Sequence, residues 1–247
     1  VGNVAYITDN VPTNNIGTGV FQYSQANIDA ATSLVQDVAT VDEVKAAYNK
    51  MMTLNAPDVN ERYNIKVATA GHAKEGNAIL AGLGTTGANN PTGYTFQVNN
   101  APTAYLAQAF GFESTGDADN TNDYYIFVER PEGKVYLTNG TSNGSAAGWK
   151  ASQIQGTTEE SNKRAFTITA SATDGAINVI NTETNSSVAA QAGGNIYTEA
   201  GNADFAVAVA AKATVNVNVS AAAGYGTIIV PFNAEIPAGL KAYTCVD

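Results

Sequence analysis

The chain has 247 residues, 44% of them hydrophobic, and its 22 acidic and 12 basic side chains give a net charge of −10. That length suits one large domain or a domain with a smaller companion, and that hydrophobic share excludes wholesale disorder. A nucleic-acid binder needs a basic stripe, and the longest basic cluster is Lys163-Arg164, so neither nucleic acid nor an anionic membrane surface is expected as a partner.

In chain order, the helical pattern lies between residues 24 and 54. Ser24 caps a first helix in which Ile28, Ala31, Val35 and Val38 recur at three- and four-residue steps. Thr40-Val41-Asp42-Glu43 is a capping box that opens a second helix, with Val44, Tyr48 and Met51 or Met52 as its buried stripe. Pro57 ends it, because proline disfavours helix in the residue before it. Two short helices with one apolar face each must pack on something else, namely a β core.

Beyond Asn60 the hydrophobic period becomes two. Tyr63–Val67, Tyr94–Val98, part of Tyr125–Val128, Phe166–Thr169, Ala176–Ile180 and Phe205–Val209 alternate apolar and polar residues. Turn formers separate them: Glu75-Gly76-Asn77, Pro131-Glu132-Gly133-Lys134, Asp174-Gly175 and Gly193-Gly194-Asn195. Short strands with no helical pattern between them indicate an antiparallel sandwich or barrel. They also repeat in three units. One runs from Tyr63 through Ala78–Ala81 to Tyr94–Val98, and a second from Tyr125 through Lys134–Thr138 to Ala165–Ile168. A third runs from Ile177 through Ser187–Ala190 to Asp204–Val207.

On these residues the region from about 61 to 211 resembles the β-trefoil, specifically the ricin-type, lectin-like trefoils of secreted proteins of Bacteroidetes type. Its best stretch is Tyr124–Val128 followed by Gly133-Lys134-Val135-Tyr136-Leu137-Thr138. The resemblance implies sugar binding in shallow pockets, at most one per repeat. The Gln-x-Trp triplet of ricin-type repeats is absent from all three units, and a Phe stands in the strand instead. Residues 213–243, with the strictly alternating Ala213–Val219 and Gly224–Phe232, resemble the opening of a small C-terminal β domain of the same proteins. They are too few to close a sandwich alone and either dock on the main body or continue in a longer chain. The expected architecture is therefore mainly β: a helical segment over 1–60, a β-trefoil-like domain over 61–211, and a partial C-terminal β segment over 212–247.

Catalytic constellations do not assemble. His72, the sole histidine, has no Gly-x-Ser-x-Gly elbow to serve. With one Cys and one His, a zinc site would rest on carboxylates. Asp117-Ala118-Asp119-Asn120-Thr121-Asn122-Asp123 alternates oxygen ligands as a calcium loop does, yet lacks the EF-hand glycine and terminal glutamate; a solvated turn is the competing reading. Gly82-Leu83-Gly84-Thr85-Thr86-Gly87 is a turn and not a dinucleotide loop, since Asn89-Asn90-Pro91 prevents the helix that must follow. Glu129, Glu132, Glu159, Glu160 and Asp174 are the carboxylates from which a glycosidase would need a facing pair. No catalytic residue, metal or cofactor is expected.

Aromatic residues carry the remaining signal, because sugars stack their C–H faces on exposed rings. Trp149, the only tryptophan, lies in the small-residue stretch Ser142–Lys150, either as an exposed platform or as a core plug. Tyr136 and Asn143 are its companions as expected ligand-binding residues. Charged residues make up 14%, against the roughly 25% usual for soluble domains, and Asn, Thr, Ser, Gly and Ala fill the deficit. With a chain starting at Val1 and no apolar run of membrane-spanning length, this composition leads us to expect a secreted or cell-surface protein, its signal peptide removed and no membrane insertion. The expected function is a non-catalytic module binding a glycan or glycoprotein. The alternatives are a structural or adhesive segment beside neighbouring domains of a longer chain, and a glycoside hydrolase fragment.

Overall fold

A computed structural model describes residues 2–34, 40–83, 94–98, 109–130, 133–139, 153–199 and 203–210. Three helices come first: α1 (Gly2–Thr8), α2 (Gln25–Leu34) and α3 (Val41–Met52). Four strands follow, β1 (Tyr63–Val67), β2 (Ile79–Leu83), β3 (Tyr94–Val98) and β4 (Phe110–Ser114). A second four are β5 (Asp123–Arg130), β6 (Gly133–Asn139), β7 (Ile154–Thr157) and β8 (Ala165–Ala170). The last four are β9 (Ala176–Asn181), β10 (Ser186–Ala190), β11 (Ile196–Glu199) and β12 (Phe205–Val209).

Antiparallel pairing runs β1-β4-β5-β8-β9-β12 and returns to β1, which closes a six-stranded barrel. Closure removes the exposed edges that an open sheet must otherwise protect. The remaining strands form the hairpins β2-β3, β6-β7 and β10-β11. Their second strands meet in a triangle through the pairs Thr95 with Gln155, Gln97 with Asn195, and Gln153 with Tyr197. Six barrel strands capped at one end by three hairpins is the β-trefoil.

Strand register shows the threefold repeat at residue level. Phe110 faces Val128, Phe166 faces Asn181 and Phe205 faces Val67. Two residues further along, the pairs are Phe112 with Ile126, Ile168 with Val179, and Val207 with Ile65. The three phenylalanines are wholly buried, as alternation on a strand with one covered face requires. Around the axis Phe110 and Phe205 line a small, wholly apolar cavity with Ile65, Ile126 and Val179.

One expectation is corrected. Tyr94–Val98 does not close the first unit; it is the third strand, and β4 closes it. Gly111 interrupts the alternation of Phe110-Gly111-Phe112-Glu113, and its reason is tertiary. A Cβ there would run into the tip of the Phe127 ring. The helix α1 was not foreseen either. It is too short to be stable alone, and it is held through Ile7 in a small core with Ile28, Ala31, Val44 and Met51.

The capping box forms as the sequence spells it: Thr40 Oγ1 accepts from the Glu43 amide, and the Glu43 carboxylate accepts from the Thr40 amide at 2.7 Å. Ile28 and Ala31 of α2, and Val44 and Met51 of α3, are the buried positions. Val35 and Val38 lie outside the described residues, as do the residues of 213–247 that resemble a β segment.

The chain around the helices closes the barrel at the end opposite the hairpin cap. Phe21 and Leu54 belong to the barrel core, and Phe21 meets Phe112 and Tyr124 edge-on with ring centroids 5.0 and 5.6 Å away. Backbone bonds from Phe21 N–H to the Asn55 carbonyl and from Asn55 N–H to the Gln22 carbonyl hold the plug together. Asn122 on the β4–β5 loop accepts from the Leu54 amide and donates to the Met52 carbonyl. On the β8–β9 loop, Ser171 and Thr173 offer their carbonyls to the buried Asn15 side chain, and Gly175 N–H donates to Asn15 Oδ1. Beside them Asp204 accepts from the Ser171 and Thr173 hydroxyls and the Asn178 amide. Burial pushes the Asp204 carboxyl up, but these three donors outweigh it and leave the group below the ordinary carboxylate range.

Candidate functional site

The densest group of aromatic and charged side chains among the described residues lies on the outer wall of the second unit. On β5 the core takes Tyr124, Ile126 and Val128, so alternation turns Tyr125, Phe127 and Glu129 outward. On β6 the same rule turns Lys134 and Tyr136 outward, and the register sets Tyr136 beside Phe127 and Lys134 beside Glu129. Glu113 arrives from β4 opposite Tyr125.

Glu113 is the hub. Its Oε2 accepts from Lys134 Nζ at 2.8 Å and from the Tyr136 hydroxyl at 3.1 Å, and its Oε1 faces Lys163 Nζ at 3.4 Å. Lys163 also pairs with Glu160 at 2.6 Å. Both ammonium groups sit over rings, Lys163 at 4.1 Å from the Tyr125 centroid and Lys134 at 4.4 Å from that of Phe127. Arg62 also lies over the Phe127 ring, 5.2 Å from its centroid, and pairs with Glu129 at 2.6 Å. Each of these cations therefore has both a carboxylate and an aromatic face.

Electrostatics follow from that arrangement. Lys134 holds Glu113 below the usual carboxylate range against a smaller upward push from burial, with Tyr136 and Lys163 assisting. Burial first, and then the Glu113 carboxylate, push the Tyr136 phenol far up, so it stays a neutral donor. Desolvation works against the charge on Lys163, but Glu160 and Glu113 outweigh it and raise its pKa. A carboxyl kept ionised in this way is a poor proton donor, so Glu113 does not suit the acid role in glycoside cleavage, which needs a raised pKa.

The depressed carboxyls set a pH dependence. A carboxylate with a lowered folded-state pKa contributes stability above its unfolded value of about 4 and loses it as pH falls through the folded value. Glu113 and Asp204 both belong to this class. Urea unfolding across the acid range is expected to show wild type more stable than Glu113→Gln at neutral pH, with the difference closing in acid. A difference that stays constant with pH would contradict this.

Of the ligand-binding residues expected from sequence, Tyr136 belongs to this wall. It is buried, 3% exposed, and its ring packs against Tyr125 and Phe127 with centroids 6.4 and 5.6 Å away. Asn143 and Trp149 fall between β6 and β7 in the chain and lie outside the described residues. Glu113 was not singled out from sequence, because its strand was hidden by Gly111. The alternation of Phe110, Phe112 and Glu113 was the available signal.

The other motifs resolve into local structure. His72 Nδ1 accepts from the Lys74 amide at 3.0 Å within a turn. In the acidic loop, Asp117 takes the Asp119 amide and the Asn120 side chain, which lowers its pKa, and Asp123 takes the Thr167 hydroxyl. Among the candidate carboxylates, Glu129 pairs with Arg62, Glu159 accepts from Asn162, Glu160 pairs with Lys163 and Asp174 accepts from the Asn15 amide. Glu132 and the stretch Gly84–Gly87 lie outside the described residues. Among the described residues, no helix is long and apolar enough to cross a membrane.

No protein-family model matches the sequence, and no curated protein is similar to it at a significant level. Among solved structures it is similar to one described as "BEL beta-trefoil apo crystal form 3". The two are 15% identical with a TM-score of 0.40, and the match covers 62% of this chain and 95% of that one. A likeness that distant adds nothing to the strand pairing, which defines the trefoil on its own.

Proposed function

We propose that this chain is an extracellular, non-catalytic module that binds glycans, with Trp149, Asn143 and Tyr136 at the binding site of the second unit. The observation that carries this reading is the trefoil pairing itself, the fold that the sequence resemblance to ricin-type lectins implies. Its core is filled by apolar side chains around an apolar cavity, which directs polar ligands to the outer surface. On the outer wall of the barrel, beneath Lys134 and Lys163, the rings of Tyr125, Phe127 and Tyr136 cluster on the second unit, whose β6 and β7 flank Asn143 and Trp149 in the chain. Tyr136 is then the fixed wall behind the site, its hydroxyl committed to Glu113, and Trp149 is the stacking ring.

A broad glycan array with wild type and Trp149→Ala side by side tests the reading. Selective glycan retention is expected from wild type. Loss of a stacking ring worth about 1–2 kcal/mol is expected to weaken it about 5- to 30-fold. Failure of wild type to retain any glycan would reject the function, and undiminished binding by the variant would reject the site.

A further inference from the structure

We propose that Tyr6 and Tyr48 form an oxidative cross-linking site, at which a peroxidase supplied with hydrogen peroxide joins α1 covalently to α3. The ring centroids are 4.8 Å apart with the planes tilted by 50°. Tyr6 is 54% exposed, so an oxidant reaches it from solvent. Burial first, then a hydrogen bond with the Tyr6 hydroxyl and the nearby Tyr6 and Tyr23 phenols, push the Tyr48 phenol up. Ring carbons next to the hydroxyls are the positions at which phenoxyl radicals couple, and two rings already in contact need no diffusional encounter to do so.

Tyr63, Tyr124, Tyr125, Tyr136 and Tyr197 do not combine proximity with access. Tyr125 and Tyr136 meet edge-on at 6.4 Å, but Tyr136 is buried with its hydroxyl on Glu113. Tyr63, Tyr124 and Tyr197 are buried in the barrel and cap. A covalent tie at Tyr6 also has a clear structural effect. The seven-residue α1 is too short to persist unaided and is anchored through Ile7. The chain has one cysteine, so a disulfide within the chain cannot supply that tie.

The reaction balances with peroxide as the oxidant. Each phenol gives up one electron and one proton, and the two radicals form a carbon–carbon bond ortho to their oxygens. The ring hydrogens displaced at those carbons move to the oxygens and restore both phenols. The O–O bond of hydrogen peroxide breaks, and the two electrons and two protons leave as part of two water molecules.

The test treats the dilute 247-residue chain with a haem peroxidase and hydrogen peroxide, beside Tyr6→Phe and Tyr48→Phe, which preserve ring packing. Wild type is expected to gain the blue fluorescence of dityrosine while remaining monomeric. Its mass should fall by two hydrogens, with a peptide containing Tyr6 joined to one containing Tyr48. Each variant is expected to lose most of that fluorescence. Full fluorescence in Tyr6→Phe, joined peptides elsewhere, coupling only between separate chains, or no coupling where free tyrosine reacts would each overturn the proposal.

Discussion

Phe21→Ala is expected to destabilise the chain by about 3–5 kcal/mol, the cost of removing a fully buried aromatic side chain whose surroundings cannot collapse. The ring is 1% exposed and sits at the junction of two structures, edge-on against Phe112 of β4 and Tyr124 of β5. Its neighbours are barrel strands fixed by pairing on both sides, so the cavity left behind would persist. Phe21 also adopts φ of 59°, in the left-handed region where a side chain costs energy, and alanine keeps that cost while losing the contacts. Urea unfolding followed by circular dichroism measures the effect. Because Phe21 and Leu54 share the barrel's own core, helices and barrel are expected to unfold in one transition. A loss below about 1 kcal/mol, within the range of ordinary surface changes, would show that the plug does not support the barrel.

Asn15→Ala is expected to cost about 2–4 kcal/mol through a different mechanism, since it leaves buried polar groups without partners. The Asn15 side chain donates to the Ser171 carbonyl at 2.7 Å and to that of Thr173 at 3.1 Å, and it accepts from Gly175 N–H. The residue is 1% exposed, so water does not replace these bonds without local opening. Its φ of 54° is a conformation that asparagine tolerates better than alanine. Asn15→Gly separates the two contributions: it abolishes the same hydrogen bonds but removes the backbone cost, so it should be less harmful by about 1 kcal/mol. Equal losses in both variants would assign the whole effect to the side-chain bonds. Stability unchanged in Asn15→Ala would contradict the role given to the residue.

These two residues show where sequence reading stops. Both lie between α1 and α2 in a stretch without periodicity, so nothing in the pattern marks Phe21 as a core residue of a barrel that begins forty residues later. The helices α2 and α3 were legible because their signals are local: Thr40 and Glu43 reach each other across one turn, and Ile28 and Ala31 recur on one face. Strands β1, β3, β5, β8, β9 and β12 were legible by alternation. Strand β4 was not, because Gly111 is a glycine only on account of the Phe127 ring from a neighbouring strand. Tyr136 was reached from sequence as a ring near Trp149, but its burial and its bond to Glu113 depend on three strands and a turn meeting.

The sequence by itself determined the mainly β class, the threefold rhythm and the capping box, because each follows from residues close together in the chain. Tertiary structure decided which strands close the barrel, which residue plugs its open end, and how Glu113 gathers two lysines and a tyrosine. Those outcomes depend on contacts between residues far apart in the chain, such as Asn15 with Gly175 and Arg62 with Glu129. Spacing along a strand or helix fixes the direction of a side chain, while its partner is set only when the barrel closes.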